Sequence, residues 1–290
     1  MRNQLYLTIK EILDKNEKTA LLLCDVGIYG FSDYIRKYPN RVFNIGVLEQ
    51  ATIGLAAGLA RTNIIPFVHT FSTFLAEKSL EQIKVDFGYS GLNGNFIGMG
   101  APYDFPQNGP THESPGDVQV LSSIPNMQIL LPGTSKEFDL LIKETYNNGY
   151  PTYSRVNTTV HTQKIDVKFG KGNIIKKGNK ATIICFGNIL DEVIKATENI
   201  DVTILYYSTV KPFDYEILLE NFHKNIIICE PFYSGSINYE ITKHLDKEYK
   251  ITNLGIPHQY IHHYGTKEEV DEYLKLDYIS LNKRIKKLIN

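Results

Sequence analysis

Apolar residues along this chain fall into two alternating rhythms. Leu5, Ile9, Ile12 and Leu13 recur at helical spacing and predict one face of a first helix. Residues 20–24 form an unbroken apolar run, which reads as a strand buried on both faces. The pattern continues with strands at 42–45, 65–68, 95–99, 127–131 and 152–156, and helices at 32–37, 49–61, 73–87 and 135–146. A loop rich in Gly and Pro spans 100–115, where Ser114 and Pro115 read as the N-cap and first position of the next helix. Residues 157–180 break the rhythm: they are polar, strand-like in places, and contain Gly170, Gly172 and Gly178. Alternation then resumes, with strands at 181–186, 202–206, 225–229 and 250–254 and helices at 190–198, 215–222, 237–245, 267–274 and 279–288. This grammar predicts an α/β fold of two three-layer α/β/α domains. They cover residues 1–160, with a mainly parallel sheet, and residues 161–290.

Composition narrows the class. A length of 290 residues suits two domains. Lys plus Arg number 31 and Asp plus Glu 32, a balance that argues against a nucleic-acid partner. No apolar run approaches the roughly 20 residues of a membrane span, and no signal-peptide core follows Met1. Cys24, Cys185 and Cys229 each close an apolar run and read as small strand-end hydrophobes rather than a disulfide framework. A soluble cytoplasmic protein is expected.

Candidate chemistry concentrates in the first half. In Phe43-Asn44-Ile45-Gly46-Val47-Leu48-Glu49-Gln50 a strand ends and a helix opens on a carboxylate. Ligands in open α/β sheets gather beyond such strand ends, although a carboxylate there also simply favours the helix N-terminus. The helix carries small residues at Ala51, Gly54, Ala57 and Gly58, which let another backbone approach. Phe71 and Phe74 lie three residues apart beyond the next strand, and the turn from Asn108 to Thr111 presents His112. Each alone has a structural reading: the two rings as core, His112 as a helix cap, and His69 as a residue behind the site or on its rim.

Together and in this order they resemble the pyrimidine-binding domain of transketolase-type thiamine-diphosphate enzymes. The resemblance rests on Gly46-x-x-Glu49-Gln50, Pro66-Phe67, Thr70-Phe71-x-x-Phe74, Glu81-Gln82-Ile83, Gly109-Pro110-Thr111-His112, Ile124-Pro125-Asn126-Met127 and Arg155. Thr209-Val210-Lys211-Pro212-Phe213-Asp214 and Glu230 with Gly235 are similar to the family's C-terminal domain.

The resemblance implies that Glu49 hydrogen-bonds the cofactor's aminopyrimidine, that Phe74 stacks on it and Phe71 lines the same pocket, and that Asp25 lies nearby. It implies that His112 faces the substrate hydroxyls, and that Arg155 and Arg2 hold a substrate phosphate through their guanidinium forks. Tyr29, Gly100 and Asn108 stand where the family has a serine, a histidine and an aspartate that bind substrate. These departures point away from the usual sugar phosphates, toward a modified or nucleotide-linked sugar, while the resemblance as a whole implies a phosphorylated or modified one. The family also holds the cofactor's diphosphate through Mg²⁺ on a Gly-Asp-Gly followed further on by Asn, and no Gly-Asp-Gly occurs here. No metal ligand is assigned in this chain, and the adjacent His262 and His263 read as surface residues. The implied protein is therefore the C-terminal subunit of a split transketolase, paired as α2β2 with an N-terminal subunit that brings the diphosphate domain and Mg²⁺. Alternatives are the β-subunit of a 2-oxo acid dehydrogenase E1, a deoxyxylulose-phosphate-synthase-like enzyme, or a non-catalytic subunit that has kept the fold.

Overall fold

A computed structural model describes residues 1–246 and 248–289. Among them twelve strands form two sheets. In chain order they are β1 (Thr19–Leu23), β2 (Val42–Asn44), β3 (Ile65–Phe71), β4 (Gly94–Met99), β5 (Gln128–Leu130), β6 (Pro151–Val156), β7 (Gly172–Lys176), β8 (Thr182–Phe186), β9 (Thr203–Tyr207), β10 (Thr209–Lys211), β11 (Asn225–Tyr233) and β12 (Lys250–Ile256). The first sheet runs β10-β5-β6-β4-β3-β1-β2 and the second β12-β11-β8-β9-β7. All pairings are parallel except those of β10 and β7, which are antiparallel. Parallel strands covered by helices on both faces have no polar side, and every residue of β1, β4, β6 and β8 is buried.

The strand order places the site. The chain passes from β1 outward to β2, then returns to β3 on the other side of β1. The crevice beyond the carboxyl ends of β1 and β3 is therefore a topological switch point, where ligands bind in open α/β sheets. Asp25 lies two residues beyond the end of β1, and Phe71 ends β3.

Several local expectations change. The helix expected at 73–87 extends to Tyr89 and contains two π-helical stretches, Thr73–Lys78 and Ile83–Tyr89. Such widened turns occur often at functional sites, and this one carries Phe74 and Lys78. The helix expected to start at Ser114 and Pro115 begins at Asp117, after Gly116. Ser114 instead donates its hydroxyl to Glu77 at 2.9 Å. The three cysteines are buried, and burial pushes the Cys24 thiol up to about 11 and Cys229 up to about 12.

The Thr-x-Lys-Pro-x-Asp stretch turns out to be a tie between the two halves. Its Thr209–Lys211 segment is β10, which leaves the second half of the chain to pair with β5 in the first sheet. The Lys211 ammonium donates to the carbonyls of Ser122 and Ile124, at the C-terminal end of the Asp117–Ser122 helix.

A second tie corrects the reading of Arg155 as a phosphate ligand. Arg155 lies on β6 and is 1% exposed. Its Nε and Nη2 donate to the two carboxylate oxygens of Asp117 at 2.7 and 2.5 Å, and its Nη1 donates to the Pro231 carbonyl at 2.8 Å. Tyr153 also donates to Asp117, at 2.6 Å. The guanidinium is thus committed, and withdrawing it would strand a buried carboxylate. Arg155 joins β6, the Asp117–Ser122 helix and β11 instead of facing a substrate.

Two predictions follow from these buried groups. Arg155→Met should cost about 3–5 kcal/mol of stability in a urea melt, because Asp117 would be left charged and unpaired. The double variant Arg155→Met, Asp117→Leu should recover most of that loss, and a single variant as stable as the parent would contradict the assignment. Glu230, on β11, is fully buried and accepts hydrogen bonds from the Gly235 amide and Asn253 at Oε1, while Oε2 has no partner. Burial pushes its carboxyl up from 4.5 to about 8. A raised folded-state pKa means a contribution that is complete below 4.5 and is lost as pH rises through 8. Stability should therefore fall with pH across that window by up to about 1.4 kcal/mol per unit, and Glu230→Gln should flatten the decline.

Candidate active site

At the switch point lies a cleft of about 600 Å³. It brings together five of the residues singled out from the sequence: Arg2, Asp25, Tyr29, Phe71 and Asn108. The rest of its wall includes Val26, Ile28, Met99 and Phe105, so the cavity is largely apolar. Asp25 adopts a left-handed backbone, φ 58°, which costs an L-residue about 1–2 kcal/mol. Two reciprocal bonds with Asn44 offset that cost: Asn44 Nδ2 donates to Asp25 Oδ1 at 2.7 Å, and the Asp25 amide donates to Asn44 Oδ1 at 3.0 Å. Arg2 opens the first helix, Arg2–Lys15, and its Nε donates to the Tyr6 hydroxyl at 2.7 Å. Tyr29 is 96% exposed at the cleft mouth.

Of the two readings of His69, the structure gives the one behind the site: the ring is wholly buried and not on the rim. Its Nδ1 donates to the Ile97 carbonyl at 2.9 Å, which leaves Nε2 unprotonated and without a partner. Burial drives its pKa down to about 4. Gly27, at φ 83°, packs directly on this ring, where a Cβ would approach His69 Cδ2 to 3.0 Å.

Behind Phe71 stands a second group, which joins Glu49, Phe74 and His112. Glu49 is 1% exposed at the first position of the Glu49–Arg61 helix. Its Oε2 accepts from Lys78 Nζ at 2.6 Å, and its Oε1 is buried with no partner. The same Lys78 ammonium lies 5.7 Å from the centre of the Phe74 ring. The His112 ring stands edge-on to both Phe71 and Phe74, at 5.2 and 5.4 Å between centroids. Phe71 also meets Phe105 edge-on at 5.9 Å. One aromatic cluster thus links the carboxylate, the imidazole and the cleft, with Phe71 as the shared wall. Lys78 escaped the sequence reading, although its position four residues after Phe74 puts both on one side of the helix.

A histidine in place of Gly100 would be strained. Its φ is 98°, and a Cβ would come within 3.1 Å of Phe71 and 3.5 Å of the His112 carbonyl. With Arg155 buried elsewhere, Arg2 is the one cationic residue lining the cleft among the described residues. No group of three or more His, Cys, Asp or Glu residues among them could hold a metal ion.

Comparison with known proteins bears on this arrangement. The sequence matches the family described as "Transketolase, pyrimidine binding domain" over residues 2–159, and "Transketolase, C-terminal domain" over residues 170–277. It is 32% identical over 284 residues to an uncharacterized 33.6 kDa protein in the fasciation locus of Rhodococcoides fascians, covering 96% of this chain and 91% of that one. It is 30% identical over 221 residues to the 6-deoxy-6-sulfo-D-fructose transketolase subunit SqwH of a Clostridium species, covering 73% of this chain and 69% of that one. It also matches the 1-deoxy-D-xylulose-5-phosphate synthase of Mannheimia succiniciproducens at 28% identity, where it spans 43% of the longer protein. A solved structure described as "Split gene transketolase, inactive beta4 tetramer" superposes with a TM-score of 0.87 at 23% identity, covering 99% of this chain and 97% of that one, and so shares the fold. The chain belongs to the transketolase family, as a pyrimidine-binding domain followed by the family's C-terminal domain.

Proposed function

We propose that this chain is the C-terminal subunit of a split, thiamine-diphosphate-dependent transketolase. It would transfer a two-carbon ketol unit between sugars once a second polypeptide brings the diphosphate-binding domain and its Mg²⁺. The observation that carries this reading is Glu49 Oε1, a buried carboxylate oxygen without a partner, while Oε2 accepts from Lys78, whose ammonium lies 5.7 Å from the centre of the Phe74 ring. Leaving such an atom unsatisfied costs on the order of 1–3 kcal/mol, which a donor from a ligand would restore. An aminopyrimidine ring nitrogen that shares a proton with Glu49 fits this position.

Thiamine diphosphate, when bound, supplies the nucleophilic carbon that accepts the two-carbon unit. This chain's own residues do the rest of the work assigned to them. Glu49 holds or shares the proton at Oε1 while Lys78 fixes its other oxygen. Phe71 and Phe74 offer flat apolar faces that exclude water and seat the ring. His112 faces the reacting centre and moves a proton at a substrate hydroxyl. Asp25 and Asn108 line the cleft as hydrogen-bonding groups for sugar hydroxyls, with Tyr29 at its mouth. Arg2 is left as the cation for an anionic substituent. Because Arg155 is spent and Gly100 has no side chain, the sugar is read as modified rather than held by a multi-arginine phosphate site. The name of the sulfo-sugar transketolase relative agrees with that.

One apolar face supports the pairing with a partner. The small-residue face of the Glu49–Arg61 helix borders an apolar groove of about 720 Å³, formed with Leu22, Phe43 and Ile45. Val47, Leu48 and Leu55 beside it are 57%, 59% and 53% exposed. Apolar surface of this kind suits an interface, and the closed symmetry common among oligomers supports an α2β2 pairing. The solved relative described as an inactive β-only tetramer supports the reading that such a chain needs its partner. No described helix is long and apolar enough to cross a membrane, and three buried thiols suit the reducing cytoplasm.

The match to deoxyxylulose-phosphate synthases favours one second reading, in which pyruvate is the donor. Reconstitution with the partner subunit, thiamine diphosphate and Mg²⁺ should give ketol transfer from a ketose; carbon dioxide release from pyruvate would select the second reading instead. Glu49→Gln should lower kcat by about 10²–10⁴-fold without changing assembly. Unchanged turnover would overturn the catalytic assignment and favour a non-catalytic subunit.

A further inference from the structure

The loop between β4 and the Asp117–Ser122 helix carries both Asn108 and His112. Its base is firmly tied. The Ser114 amide donates to the Pro102 carbonyl at 2.9 Å, the Thr158 amide to Asp104 at 2.8 Å, and Asn157 Nδ2 to the Ala101 carbonyl. Its tip is held mainly by bonds to itself: the Asn108 amide to the Phe105 carbonyl at 2.9 Å, and the His112 amide to the Gly109 carbonyl at 3.0 Å. Gln107, Asn108 and Thr111 are exposed, yet Gly109 between them is buried.

Tyr264 packs on Gly109. A Cβ on this glycine would stand 2.5 Å from Tyr264 Cε1 and 2.9 Å from Cζ, so the ring rests directly on the backbone. The φ of 64° at Gly109 permits that close approach. Tyr264 belongs to the C-terminal domain, in the segment between β12 and the Lys267–Leu274 helix, and that segment is anchored on both sides. Before Tyr264, the His258 ring stacks on Tyr233 at 4.7 Å. After it, Thr266 closes a capping box with Glu269. The same helix also reaches the loop base, where Tyr103 donates to Asp271 at 2.7 Å.

We propose that Tyr264 is a positioning residue, through which the C-terminal domain clamps the Asn108–His112 tip in its working geometry. The domain is then part of the site's support, beyond its role in packing. The activity consequence rests on the proposed reading of His112, whereas the clamp itself does not.

The test therefore has two arms. In hydrogen–deuterium exchange on the chain by itself, Tyr264→Ala should speed exchange at Asn108 and His112 by about tenfold or more, by opening the tip locally. Tyr264→Phe should restore most of the parent rate, since it keeps the ring edge at 2.5 Å from that Cβ position and loses only the hydroxyl at 2.8 Å. Exchange unchanged in Tyr264→Ala, or raised equally through β11 and β12, would overturn the clamp. In the reconstituted complex, Tyr264→Ala should lower kcat about 10–100-fold at unchanged thiamine diphosphate affinity, the scale of a small misplacement at a reacting centre. An equal fall in cofactor affinity, or an unaltered kcat alongside wild-type ketol transfer, would also count against it. A complex with no ketol transfer at all would sink the proposed function while the exchange result still decides the clamp.

Discussion

Glu49 sits with one carboxylate oxygen on Lys78 and the other buried against nothing. An isolated fold gains by removing such an arrangement, since replacing both partners with apolar groups can be neutral or stabilising. Here the surrounding structure is organised to keep it. The switch in strand order between β1 and β3 opens the crevice, the helix start places the carboxylate there, and a π-helical turn carries Phe74 and Lys78 alongside. Phe71 then couples this half-satisfied group to a largely apolar cleft with a single arginine. Under the proposed function, this arrangement is one half of a binding site.

Burial elsewhere decides which charged residues are free to serve that site. Arg155 looks from its sequence position like an anion ligand, but Asp117 and the Pro231 carbonyl engage all three of its guanidinium nitrogens. Arg2, an exposed residue at a helix start, reaches the cleft instead. The buried pair has a different consequence: it ties the first sheet to β11, as β10 does by crossing from the second half of the chain to pair with β5. These ties give the Tyr264 contact a firm base, because a ring that rests on a loop can steady it only if its own domain is fixed.

Much of this was legible in the sequence. Buried parallel strands are continuous apolar runs, so β1, β8 and β11 announce themselves, and the Glu49–Arg61 helix appears with its expected bounds. The grouping of Glu49, Phe71, Phe74 and His112 followed from motif order. What was hidden depended on contacts distant in the chain. The fate of Arg155 turned on Asp117, 38 positions away. Short β10 has too few residues to show a period, and it was visible only as a motif. Tyr264 belongs to a polar segment with no pattern of its own, and its meaning comes from the bare face of Gly109. The contact of His69 with the Gly27 turn is likewise distant in the chain.

The central claim is that this chain holds the pyrimidine half of a cofactor site that a second polypeptide completes. Calorimetric titration of thiamine diphosphate with Mg²⁺, into the chain alone and into the chain mixed with its partner subunit, tests it most directly. The account predicts binding at least about a hundredfold tighter in the mixture, a difference of roughly 2.7 kcal/mol. Equally tight binding by the chain alone would contradict it.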